Sequence, residues 1–136
     1  MSDRTTPSAA LLRKTLETYF SAIAARDPER IASVFAIDCE IEDPVGSPVR
    51  HGRDGVAQLF TSGVAALASR VEITILAALP SGSCIAAHWT MIAHGKAGRE
   101  VKAEGIDVLR VDSQGQIVSA EGYWDAAAFR QMLASN

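Results

Sequence analysis

Cysteine is nearly absent from this chain of 136 residues: Cys39 and Cys84 stand alone and far apart, with no Cys-x-x-Cys or Cys/His ligand spacing near either. A disulfide scaffold or a zinc module is not expected from that, and two reduced thiols of a cytoplasmic protein are. Basic runs are missing too, none exceeding Arg13-Lys14, and 13 Lys and Arg against 16 Asp and Glu leave a formal net charge of −3. That excludes nucleic acid as a partner, since phosphate binding needs a basic surface, and it disfavours an anionic membrane for the same reason. No apolar stretch follows the polar start Met1-Ser2-Asp3-Arg4-Thr5-Thr6, so export is not expected. Ile73 to Gly95 carries no formal charge, but Pro80-Ser81-Gly82-Ser83 interrupts it and two histidines lie inside it, which points to two strands and a turn instead of a membrane span. His51, His88 and His94 make no metal-ligand spacing, Ser62-Gly63 lacks the flanking glycine of a nucleophile elbow, and no Gly-rich phosphate loop follows a strand. Repeats, linkers and low-complexity tracts are also missing, so residues 1–136 read as one domain.

What is present is apolar material, 48% of the residues, in a chain large enough to bury roughly two thirds of its unfolded surface and still hold a modest cavity. Pro7 can open a first helix in which Leu12, Leu16, Tyr19 and Ile23 form one stripe. Asp27 caps a short second helix with Pro28 in its first turn; Ile31, Val34 and Phe35 are its buried face, and the chain turns extended near Asp38. A third helix spans Arg53 to Ala68 on the face Val56, Leu59, Phe60, Val64 and Leu67. From Val71 the period becomes two, and Cys84 to Ala93, Arg99 to Val111 and Ile117 to Trp124 follow as strands, a meander of four. Asp125 caps a last helix through Ala126, Phe129, Met132 and Leu133. Helices first and strands after imply an α+β fold with helices on one face of a curved sheet.

Three polar groups contradict this pattern. Asp43 shares its side of the first strand with Cys39 and Ile41, and Asp107 shares its side of the long strand with Val101, Ala103, Gly105, Leu109 and Val111. Tyr19 continues the first helical stripe. A carboxylate on an apolar face must be paired, hydrogen-bonded or protonated, because desolvation disfavours its charge. Each residue alone has a plainer account: Asp43 as a turn former before Pro44, Asp107 as an exposed group or an ion pair with an arginine, Tyr19 as a boundary tyrosine. Together, three independent elements aim proton-handling groups at one interior.

These residues resemble the Δ5-3-ketosteroid isomerases, within the nuclear-transport-factor-2-like (SnoaL-like) folds. The resemblance runs through Tyr19-Phe20, Ala25-Arg26-Asp27, Val34 to Asp38, Ile41-Glu42-Asp43-Pro44-Val45-Gly46-Ser47-Pro48, His51-Gly52-Arg53, Gly105 to Val111, Gly115-Gln116-Ile117 and Tyr123-Trp124. It implies a cone-shaped fold enclosing an apolar pocket, a homodimer, a neutral steroid as ligand and no cofactor or metal. It also implies Asp43 as general base, Tyr19 as hydroxyl donor to the substrate oxygen and Asp107 as a protonated acid giving a second hydrogen bond. A carboxylic acid held neutral by an apolar site is the established pattern of that family itself and comes here with the resemblance. Trp124, Trp89, Phe60, Phe35 and Val45 are candidate pocket walls, and each tryptophan could equally be plain core.

Phe35 and Phe60 depart from the family, standing where some members place tyrosines that support the catalytic hydroxyl. Glu104 should face away from Asp107, towards solvent. Other functions on the same scaffold stay open: a polyketide cyclase, an epoxide hydrolase with an Asp-Arg-Asp set (no arginine lies on the apolar face beside Asp107), or a non-catalytic steroid or lipid carrier.

Overall fold

The computed structural model describes residues 6–95 and 97–135. Helix α1 (Ala9–Ala24) begins after Ser8, whose hydroxyl accepts from Leu11 N, and it ends where Arg26 takes a left-handed φ of 55°. Its buried face is the expected stripe, with Leu12, Leu16, Tyr19 and Ile23 all inside. Helix α2 (Pro28–Ser33) is capped by Asp27, which accepts from Arg30 N. The chain turns extended earlier than its pattern implies: strand β1 (Phe35–Glu42) starts at Phe35, so Phe35 is a strand residue and not the end of a helical face.

A two-residue strand β2 (Arg50–His51) precedes α3 (Gly52–Ser62). The single third helix expected over Arg53–Ala68 breaks at Gly63, after which one further turn, α4 (Val64–Leu67), leads into β3 (Ala68–Ser81). A Cβ at position 63 would stand 3.1 Å from the Leu59 carbonyl oxygen, so glycine suits the break. Strands β4 (Cys84–Gly95), β5 (Glu100–Val111) and β6 (Ile117–Tyr123) complete the meander, and α5 (Ala126–Ala134) follows with Asp125 as its cap.

The six strands form one sheet in the order β2-β1-β6-β5-β4-β3, antiparallel except for the parallel pair β1 and β6. That parallel pairing joins the first long strand to the last and is invisible to local periodicity. Register irregularities between Ile75 and Ala77 on β3, and between Arg110 and Val111 on β5, supply the extra twist that curves the sheet. On β3 the irregularity also switches the inward set from Val71, Ile73 and Ile75 to Ala78 and Pro80. Helices then cover the concave face, where Leu12, Leu16, Ile31, Ile41, Ile85 and Leu109 are fully buried, each contributing about 1.5–3 kcal/mol by its removal from water. The Thr15 hydroxyl donates to the Gly115 carbonyl (2.9 Å) and ties α1 to the β5–β6 turn. No described helix is long and apolar enough to cross a membrane.

Candidate functional site

Asp107 lies in the middle of β5, alternating with Gly105 and Leu109 on the concave side, and is only 3% exposed. Strand alternation alone carries it there. No arginine among the described residues pairs with it; its Oδ1 accepts from the Trp89 indole Nε1 at 2.9 Å, inside the core. Asp43 lies one residue beyond β1, in the bend that leads through Pro44, and its Oδ1 accepts from Trp124 Nε1 at 2.7 Å. The bend is held by Val45 N donating to the Gly122 carbonyl (2.7 Å) and Gly46 N donating to Glu42 Oε2 (2.8 Å). Gly122 is the backbone surface that Asp43 rests on: a Cβ there would stand 2.7 Å from the carboxyl carbon.

Tyr19 is 0% exposed, and its hydroxyl has no hydrogen-bond partner among the described residues. Its ring meets Phe35 (centroids 5.6 Å apart) and Phe60 (6.3 Å) edge to face, neighbours that offer no oxygen. An unpartnered buried hydroxyl carries a penalty of roughly 1–3 kcal/mol.

Electrostatics separates the two acids. Burial pushes Asp43 up to about 6, with the Trp124 hydrogen bond pulling the other way. Burial, reinforced by the charge of Asp43 and opposed by the Trp89 hydrogen bond, raises Asp107 well above the carboxylate range. The Tyr19 phenol is raised as well, first by burial and then by the charges of Asp107 and Asp43. Asp43 therefore gives up its proton more readily than Asp107, an arrangement able to accept a proton at one point and donate hydrogen bonds at another.

A cavity of about 300 Å³ opens beside Asp43 and Trp124, walled by Phe60, Leu59, Val64 and Phe129 and rimmed by Arg50 and Arg130. A narrower apolar recess of about 40 Å³ continues inward between Phe20, Ile73, Met91 and Trp89 to Asp107, sharing Asp43, Phe60, Val64 and Trp124 with the outer part. Trp89, Trp124 and Phe60 therefore line the space as well as packing the core. Two expected walls lie elsewhere. Val45 is 39% exposed on the far side of the bend, where Pro44 and Ser47 face the cavity in its place, and Phe35 sits fully buried behind the Tyr19 ring. Glu104 is on the outer face as expected, yet it is engaged there, hydrogen-bonded to His88 at 2.5 Å. Cys39 and Cys84 are free. Among the described residues no three His, Cys, Asp or Glu side chains group as a metal site would require.

The SnoaL-like domain family matches residues 16–120, most of the chain, from the second half of α1 into the first half of β6. The chain belongs to the SnoaL-like family. A curated relative, "Steroid Delta-isomerase" of Nocardioides simplex, is 29% identical over 116 residues, covering 85% of this chain and 91% of the relative. Among solved structures, the epoxide hydrolase/cyclase-like enzyme SalBIII, which has a role in pyran ring formation in the polyether salinomycin, superposes with a TM-score of 0.73 at 24% identity. It covers 85% of this SnoaL-like chain and 91% of its own. At that identity the likeness speaks for the cone fold alone.

Proposed function

We propose that this SnoaL-like domain, acting as one unit over residues 1–136, is a cofactor-free steroid Δ-isomerase that moves the double bond of 3-oxo-Δ5-steroids into conjugation with the ketone. The observation that carries the reading is the unpartnered Tyr19 hydroxyl, fully buried and near enough to Asp107 and Asp43 that their charges raise it. Moving the double bond requires a base to take the proton from the carbon between ketone and alkene and return it two carbons along. One carboxylate suffices, and Asp43, at the junction of the outer cavity and the inner recess, is that base. Negative charge develops on the ketone oxygen in the dienolate, and Asp107, which lines the apolar recess, and Tyr19, buried against its Phe20 and Phe60 walls, donate hydrogen bonds to it. Where single donors of this kind have been removed, the loss has been roughly 10²–10³ in kcat. The apolar walls suit a neutral polycyclic body. The name of the Nocardioides relative supports the same reaction.

The reading includes a homodimer in the cytoplasm. Ile106 and Tyr123, register neighbours on β5 and β6 and each 46% exposed on the outer face, are an apolar pair that a second copy would cover. The deciding assay follows the conjugated-enone absorbance that grows as 5-androstene-3,17-dione is isomerised. Asp43→Asn should lose several orders of magnitude in kcat, and Asp107→Asn should lose much less than Asp107→Leu, because an amide still donates. Isomerisation by Asp43→Asn at the parent rate would overturn the mechanism.

A further inference from the structure

Trp89 occupies space that only a glycine opposite it leaves free. It is the register partner of Gly105 on β5, two residues from Asp107 on the same face. A Cβ at position 105 would stand 2.5 Å from Trp89 Cζ2 and 2.8 Å from both Trp124 Cβ and the Tyr123 carbonyl oxygen. The indole is thereby set down against the strand, wedged between the rings of Phe20 (6.4 Å) and Trp124 (5.6 Å), with its N–H delivered to Asp107 Oδ1 at 2.9 Å.

An indole N–H can only donate. In a neutral carboxylic acid the carbonyl oxygen is a much better acceptor than the hydroxyl oxygen that carries the proton, and left alone the group can exchange the two by rotation or proton transfer. With Trp89 fixed on Oδ1, the form with its carbonyl there is favoured, and the proton is biased to Oδ2. We infer that Trp89 is a positioning residue that assigns the proton of Asp107 to its Oδ2 and holds that O–H in the direction of the substrate oxygen. The inference rests on the isomerase reading for its catalytic meaning, although the hydrogen bond itself stands without it. It also accounts for a site in which Phe35 and Phe60 give the Tyr19 hydroxyl no support: orientation is enforced on the acid through an indole and a glycine gap.

Trp89→Phe keeps an aromatic ring in the slot and removes the N–H together with part of the ring volume. With a 3-oxo-Δ5-steroid, kcat should fall about 10- to 100-fold, the loss associated with small misplacement of a reacting group, while KM changes less than about twofold. Because the N–H also favours the ionised acid, the alkaline limb of the kcat profile should move to higher pH in Trp89→Phe, which lost packing alone would not do. Gly105→Ala, which displaces the indole but keeps its N–H, should lower kcat in the same way. A second measurement needs no substrate. In the ligand-free protein, the infrared C=O stretch of protonated Asp107, assigned by its disappearance in Asp107→Asn, should shift to higher frequency in Trp89→Phe. An unmoved band overturns the assignment of the proton, and a moved band with unchanged kcat and pH profile overturns the positioning role. A parent protein that shifts its band on Trp89→Phe but isomerises no Δ5-steroid refutes the isomerase reading and leaves the proton assignment standing.

Discussion

Asp43 and Asp107 have the same kind of partner, an indole N–H on Oδ1, and yet hold their protons differently. The difference is sequential. Whichever carboxyl ionises first makes the second ionisation harder, and the Asp107 side of the pair carries that Coulombic load. Asp43 in the folded chain titrates near 6, above the 3.8 of an ordinary aspartate. Between those two values the folded chain keeps on Asp43 a proton that the unfolded chain has released, so the Asp43 contribution to stability falls as pH rises through that window and levels off above it, while Asp107, raised further, extends the fall to higher pH. Asp43→Asn removes the penalty. Its melting temperature should match the parent near pH 4 and exceed it above pH 6.5, by an amount corresponding to about 3 kcal/mol at most; a pH series of thermal melts checks this. In the parent, kcat/KM should rise through pH 6 as Asp43 loses its proton. Tyr19→Phe tests the same conflict between site and fold: deleting an unpartnered buried hydroxyl should leave stability unchanged or raise it by about 1 kcal/mol, while isomerase activity falls.

At the scale of elements, glycines on β5 and β6 set how closely side chains approach the sheet. Gly122 lets the Asp43 carboxyl lie against the β6 backbone, and Gly105 does the same for Trp89. Gly122→Ala should therefore push Asp43 off its Trp124 partner and cost about 10²-fold in kcat in a protein that still folds. Ser8→Ala is the reverse case. It removes the α1 cap far from the cavity and should lower stability by about 1 kcal/mol, read from a denaturant midpoint, with kcat unchanged. The break at Gly63 belongs to this scale too, since it turns Val64 and Leu67 to line the cavity mouth instead of continuing the α3 face.

For the whole molecule, curvature matters more than any single element. A flat sheet would leave α1 and α3 without a common interior, whereas the irregularities on β3 and β5 fold the sheet around Trp89, Trp124 and Phe60. The cavity is then a property of the closure, and ligand binding should report on both donors together. A phenolic steroid such as equilenin should bind tightly to the parent and lose that affinity in the Tyr19→Phe, Asp107→Leu double variant. Affinity indifferent to both changes, measured by fluorescence titration, would instead describe a plain apolar carrier. Sedimentation velocity should find a dimer that Ile106→Asp dissociates, because a charge placed beside Tyr123 would have to be desolvated at the contact.

The inward set Tyr19, Asp43 and Asp107 was legible in the sequence because helical and strand periodicities are local. A residue's face follows from its neighbours three, four or two positions away, whatever the rest of the chain does. The α+β layout and the four-strand meander followed from the same rule. Boundaries were less legible where tertiary contacts overrode the pattern: Phe35 joined a strand because its partner Ile117 lies over 80 residues away, and Gly63 split a helix that periodicity ran together. Val45 read as a wall because it adjoins Asp43, but the bend turned it outward. The indole partners of the two acids, the glycine gaps that admit them and the mutual field that staggers their protons are long-range facts. They depend on which strands pair, in which register, and on how far apart two charges come to rest, and only the folded chain decides those distances.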